Sequence, residues 1–418
     1  SQGLNLKLVD IDDVYSEFND SLSKQEAIRE FVSFALEYWR EPKPKYLLLA
    51  GDTEFIPSYI IKSSFADTDL GEDSVAIDEY FGINKYEKDE TVDIALGRFP
   101  LKTSEEMQNL IDKIIRVENE LTMKDYPLKA LTIADGGNSE DGDFFFRQAE
   151  NLNNGIFLNY STKIIFFNDS TKTSSQRDSL IQFWNEGSFF LNYFGHGRSD
   201  LWSNLNILTV EDVDKIEGEL PANLMMAACK QNFAKTEDSV LVERLLKKQD
   251  GGAVSVIASS GLTYASVSFS FVRDIYNGLF ANTDMTLGEV FHNVKRTGTA
   301  EINKRMTLLG DPAFKIPLDV LAGRDEENNA PDNYALYQNY PNPFNPSTKI
   351  KFALPKSSYV ELKVYDLIGK EVALLLREEK SAGRHEVTFD ASGLSSGVYF
   401  YQLNAGDFIV TKKMLLLR

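Results

Sequence analysis

Between residues 46 and 258 the chain repeats one pattern: a short unbroken apolar run, then a longer stretch in which apolar positions recur every three or four residues. Unbroken runs suit strands buried on both faces, whereas the wider spacing suits a helix laying one stripe on a sheet. Runs at 46–49, 93–96, 130–134, 164–167, 189–193, 224–228 and 253–258 therefore read as strands. Helical stretches include 105–120 and 239–248, and another opens at Ser23-x-x-Glu26 and continues towards Trp39. In that opening the serine side chain and the glutamate can each satisfy the other's backbone donor. The alternation predicts an α/β layer fold with a mostly parallel sheet over residues 1–317.

The pattern changes after that. Residues 318–336 form a linker, with Asp, Glu, Asn, Gly, Ala and Pro in no period, most plainly from Asp319 to about Asp332. From 337 to 418 short runs at 348–352, 360–365, 371–376, 386–389, 397–403 and 408–416 are separated by turn residues. That spacing predicts a small all-β, Ig-like sandwich at the C-terminus. It shows no catalytic constellation, and its His385 reads as a surface residue.

Composition narrows the function classes. The 418 residues suit two to three domains, with 43% hydrophobic and 26% charged residues typical of a globular chain. A net charge of −19 repels phosphate backbones and argues against nucleic acid as a partner, whereas a hard cation such as calcium suits it. No apolar run reaches the roughly 20 residues of a membrane span, so no transmembrane segment is expected. No signal peptide opens the chain, which suits a processed form. One cysteine, Cys229, excludes an internal disulfide, and only three histidines, His196, His292 and His385, argue against a Cys/His zinc site.

A thiol nucleophile paired with a histidine remains. The run 189–193 leads into Gly195-His196-Gly197, and the run 224–228 leads into Cys229. In an open parallel sheet, ligands bind at the carboxyl ends of strands, so the two side chains are placed where they could meet. Glycines around a histidine let backbone approach a substrate and free an N–H for a developing oxyanion. Each residue alone also has a bland reading: His196 as a structural strand end, Cys229 as a small buried hydrophobe.

Longer motifs bear on both parts of the chain. Tyr340-Pro-Asn-Pro-Phe-Asn-Pro346, Asp390-Ala-Ser-Gly-Leu-Ser-Ser-Gly-Val-Tyr399 and Thr411-Lys-Lys-Met414 resemble the C-terminal sorting domain of cargo exported by the type IX secretion system. The segments Tyr46 to Asp52 with Ile56-Pro57, Asp93 to Pro100, the Gly-His-Gly stretch through Trp202, Ala228-Cys229, Gly252 to Ile257, and Leu309-Gly-Asp-Pro312 resemble gingipain-type cysteine peptidases in order and rough spacing.

The resemblance implies a caspase-like (gingipain-type) α/β fold for residues 1–317, in two subdomains with a boundary near residue 125, and a type IX sorting domain at 337–418. It implies a secreted or surface-exposed cysteine endopeptidase in which Cys229 is the nucleophile and His196 the general base and acid, working through a thioester acyl-enzyme with no cofactor needed for the chemistry. The third, histidine-orienting acid maps to Asp135, ahead of Gly136-Gly137, where the best-known members carry glutamate. Backbone N–H groups of Gly197 and Cys229 would form the oxyanion hole. The acid that receives a basic side chain in Arg- and Lys-specific members maps to Phe146, with Asp143 one helical turn earlier as a substitute. The family commonly has glycine three residues after the cysteine, where this chain has Asn232. Also implied are a structural calcium ion without assignable ligands, a pro-segment upstream of Ser1, peptide or protein substrates, and the type IX machinery as partner. The alternative is a surface-displayed binding protein that keeps the peptidase fold without turnover. A signal peptidase of the secretion machinery is disfavoured by the intact sorting motifs.

Overall fold

The computed structural model describes residues 4–18, 22–62, 74–87, 91–123, 129–136, 142–157, 160–168, 170–218, 222–229, 240–297, 305–316, 318, 334–337, 339, 342, 344–406 and 408–417. The expected subdomain boundary near 125, most of the linker, and Gly137 and Asn232 lie outside these residues. Two compact units are present: Ser1–Glu150 with Ser161–Leu321, and Asn151–Tyr160 with Ala322–Arg418.

In the first unit the described residues form an eight-stranded sheet. Its strands are β1 (Tyr46–Ala50), β2 (Ala95–Phe99), β3 (Lys129–Asp135), β4 (Ser161–Phe167), β5 (Ser188–Phe194), β6 (Ala222–Ala227), β7 (Ala253–Ser259) and β8 (Met306–Leu309), in the order β1-β2-β8-β7-β6-β5-β3-β4. The strands β7, β6, β5, β3 and β4 are mutually parallel, as are β8, β2 and β1, and the two blocks meet antiparallel at β7 and β8. Every residue of β5, β6 and β7 is buried, which is why these strands read as unbroken apolar runs.

Helices Lys24–Tyr38, Ser104–Met123, Thr173–Asn185, Leu241–Lys247, Ala265–Ala281 and Leu287–Thr297 accompany the sheet. The capping box opens the first of them: the Ser23 N–H donates to Glu26 Oε2 at 2.8 Å, and the Glu26 N–H donates to Ser23 Oγ at 3.3 Å. The Asp93–Pro100 and Leu309–Pro312 motifs turn out to be one piece of packing. A Cβ on Gly97 would lie 2.3 Å from the Gly310 carbonyl oxygen, so that approach requires glycine. Arg98, fully buried, donates to both carboxylate oxygens of Asp78 and to the Gly51 carbonyl, which anchors β2 beside β1.

The second unit contains two antiparallel sheets. One is β9 (Ala335–Leu336), β10 (Ser347–Leu354) and β13 (Gly383–Asp390); the other is β11 (Ser358–Tyr365), β12 (Glu371–Lys380), β14 (Gly397–Ala405) and β15 (Phe408–Leu416), in the order β12-β11-β14-β15. Alternate residues such as Ile350, Phe352, Val360, Leu362, Tyr401, Leu403 and Met414 fill one core, as in an Ig-like sandwich. His385 is half-buried with its ring on Phe352, centroids 5.1 Å apart, rather than free on the surface.

Candidate active site

Strand register brings the candidate residues to one edge of the sheet. Phe194 of β5 is paired with Ala227 of β6 and with Ala134 of β3. His196 and Cys229 each stand two residues beyond their member of the first pair, on parallel strands about 4.8 Å apart, and Asp135 follows Ala134 directly. The Gly195 N–H donates to the Ala227 carbonyl at 3.3 Å, so the pairing persists into the Gly-His-Gly turn.

Gly195 is what lets that turn pass. A Cβ there would lie 2.4 Å from Asp135 Cβ and 2.6 Å from Tyr193 Oη. The buried Asp135 carboxylate accepts the backbone N–H of His196 at 3.2 Å on one oxygen and the Ser203 hydroxyl at 2.8 Å on the other. His196 is exposed, and the edge of the buried Phe145 ring meets its imidazole with centroids 5.5 Å apart at 85°. Cys229 is half-exposed, and its Sγ lies 3.4 Å from the Thr263 carbonyl oxygen, just ahead of the helix Ala265–Ala281.

Beyond Gly197 the chain doubles back through a small ladder in which Arg198 donates to the Leu201 carbonyl and Ser203 to the His196 carbonyl. Those bonds flank the Gly197–Trp202 pair, so the N–H of Gly197 itself faces away from the ladder. Trp202 is buried and lies flat on Tyr193, ring centroids 4.4 Å apart at 5°. Burial, with Asp135 and then Cys229 nearby, pushes the Tyr193 phenol well above its ordinary value and keeps it a proton donor. It donates to the His196 carbonyl.

The two positions read as a substrate pocket are both engaged. Phe146 stacks on Phe166 of β4, centroids 4.8 Å apart, and Asp143 is an exposed partner of Arg147, whose Nε donates to it at 2.8 Å. Sequence reasoning did not single out Phe145, Tyr193, Ser203 or Thr263. Trp202 ends the Gly-His-Gly motif stretch and Tyr193 ends the apolar run before it, but nothing in the pattern marks Ser203. Among the described residues no group of three or more His, Cys, Asp or Glu side chains is placed to hold a metal ion.

The sequence profile described as peptidase family C25 matches residues 1–317, more than half of the chain. The chain belongs to peptidase family C25. A secretion system C-terminal sorting domain matches residues 338–417. This C25 member therefore carries the sorting domain of type IX cargo, which marks it for export to the cell surface or beyond. Gingipain R2 of Porphyromonas gingivalis is 29% identical over 243 residues, covering 56% of this chain and 31% of that protein. Gingipain R1 of the same organism shows 29% identity over 243 residues, covering 56% of this chain and 23% of its own length. The chain thus spans less than a third of these relatives.

Among solved structures, the Arg specific cysteine proteinase gingipain R superposes with a TM-score of 0.60 at 17% identity, covering 96% of this chain and 90% of that one. The complex of the Porphyromonas gingivalis RgpB pro- and mature domains gives 0.60 at 19% identity, covering 99% and 94%. The fold is of the gingipain type. Among the described residues no helix is long and apolar enough to cross a membrane.

Proposed function

We propose that this C25 chain is a secreted cysteine endopeptidase in which Cys229 and His196 form the catalytic dyad. The observation that carries the reading is the register: both residues stand two positions beyond a directly paired Phe194 and Ala227. In the proposed reaction His196 takes the thiol proton, and the Cys229 thiolate adds to the peptide carbonyl carbon. The carbonyl π pair becomes an oxyanion held by the N–H groups of Gly197 and Cys229, and the outward-facing Gly197 N–H supports that role. As the C–N bond breaks, the amine leaves with the proton from His196. Water then adds to the thioester, gives a proton to His196, and expels the thiolate with the peptide acid. Asp135 serves as the acid that steadies His196, and protein or peptide chains are the substrates.

Turnover of a mixed fluorogenic peptide library, with and without iodoacetamide, tests this. Cys229→Ala and His196→Ala are each expected to lose at least about a thousandfold in kcat, with the double variant no worse, because a coupled pair fails as a unit. Wild-type turnover by Cys229→Ala sinks the proposal. Peptide binding without thiol-dependent turnover in the unmodified chain points instead to a binding protein on the same fold.

A further inference from the structure

The backbone of His196 is gripped on both sides. Its N–H donates to Asp135 Oδ2, and its carbonyl accepts from both the Ser203 N–H at 2.9 Å and the Tyr193 hydroxyl. Ser203 closes the circuit, because its hydroxyl donates to the other oxygen of the same Asp135 carboxylate at 2.8 Å. Its Oγ also accepts the Leu205 N–H at 3.2 Å, which uses the hydroxyl as donor and acceptor at once. Ser203 achieves this in a left-handed conformation, φ 59°, while only 2% exposed. A non-glycine residue persists there only where its surroundings over-determine it, and such residues gather at functional sites.

We propose that Ser203, backed by Tyr193, is a positioning residue that sets the orientation of the His196 side chain. With N–H and carbonyl both fixed, the Cα–Cβ bond of His196 has one direction, and the Phe145 edge restricts the ring that follows. The Ser203 hydroxyl also holds in place the Asp135 carboxylate that accepts the His196 N–H. Trp202 supports the circuit by holding the Tyr193 ring flat. This role rests on the dyad reading, and it names a residue that touches neither substrate nor thiol.

Ser203→Ala and Ser203→Gly separate the hydroxyl from the backbone. Both lose the donor to Asp135, while glycine adopts φ 59° freely. The chain has three histidines, so the His196 imidazole can be followed by NMR on histidine-labelled protein, whether or not the protein turns over a substrate. Both variants are expected to shift the His196 ring signals at constant pH, because the imidazole leaves its fixed orientation against the edge of Phe145. In turnover, kcat is expected to fall about tenfold or more in both with KM little changed. A purely structural Ser203 gives the opposite result, with Ser203→Gly matching the unmodified protein. His196 ring signals that superimpose on those of the unmodified protein in both variants overturn the proposal. If neither folds, Tyr193→Phe removes the second donor to the same carbonyl and keeps the stack on Trp202; unchanged kcat and unchanged His196 ring signals there overturn it equally. Loss of the proposed peptidase activity in the unmodified chain is a separate result, since the ring signals are read without substrate.

Discussion

Phe145 meets the exposed His196 imidazole edge-on, with ring centroids 5.5 Å apart, and is itself only 3% exposed. One aromatic side chain thus belongs to the core and also walls the candidate site. Phe145→Ala is expected to cost about 3–5 kcal/mol of stability, since a buried phenylalanine leaves both lost transfer energy and a cavity. Phe145→Leu keeps most of the volume and is expected to cost about 1 kcal/mol. If the edge contact restrains the imidazole, Phe145→Leu lowers kcat several-fold with little change in KM. Thermal melts alongside steady-state kinetics check this, and a stable Phe145→Leu with unaltered kcat shows that the ring serves the core alone.

A buried carboxyl elsewhere in the first unit predicts a pH dependence. Glu243 is 4% exposed, and among the described residues its Oε1 has no hydrogen-bond partner. Burial pushes its pKa up from 4.5 to about 7, with Asp52 adding to the rise and Lys247 opposing it. Between those values the folded chain binds more protons than the unfolded one, so stability falls as pH rises through that window and stays lowered above it. A difference of that size is worth up to about 3 kcal/mol. Glu243→Gln is expected to match the unmodified protein near pH 4.5 and to exceed it at pH 8. Denaturant unfolding at the two pH values checks this; equal stability at pH 8 removes the argument.

The two sides of the site were legible to different degrees before the fold was seen. His196 and Cys229 could be paired because two buried parallel strands leave an unmistakable apolar text, and each run ends near its reactive residue. The capping box at Ser23 and Glu26 was legible because all its parts lie within one helical turn. Phe145 was not distinguished from Phe146, since neighbours on a helix point about 100° apart and the periodicity does not say which one meets a histidine from another strand. Ser203 left no trace at all: a left-handed serine and its contact with Asp135 exist only once the chain has doubled back. The strand β8 escaped too, being four residues long and antiparallel to β7.

Export is expected to depend on the second unit. That unit encloses its own core, from Ile350 through Leu416, and the sorting-domain match covers residues 338–417. Deleting residues 337–418 is expected to retain the chain inside the cell envelope of its host, with far-UV circular dichroism of the remainder still showing an α/β fold. Fractionation of cells expressing the two forms checks it. Equal amounts of the truncated and full chains outside the cell show that export runs by another signal.

Specificity follows from how the helix beginning at Phe144 spends its side chains. By resemblance to the basic-specific members, an acid that receives Arg or Lys belongs where this chain has Phe146. That ring is stacked on Phe166, and Asp143, one turn earlier, is paired with Arg147 on an exposed face. The Arg147 partner holds the Asp143 carboxyl below its usual range, so it stays ionised but is already matched by a cation. A substrate guanidinium buried against phenylalanine would give up its hydration without a counter-charge, a loss of several kcal/mol. We therefore expect peptides with neutral or apolar residues before the scissile bond to be cut within about tenfold of those with Arg or Lys. Asp143→Asn is expected to leave that ratio unchanged, because the carboxylate is committed to Arg147. A library varied at that one substrate position measures the ratio directly. Preference for a basic residue above about a hundredfold, lost in Asp143→Asn, would show that Asp143 leaves Arg147 to receive the substrate.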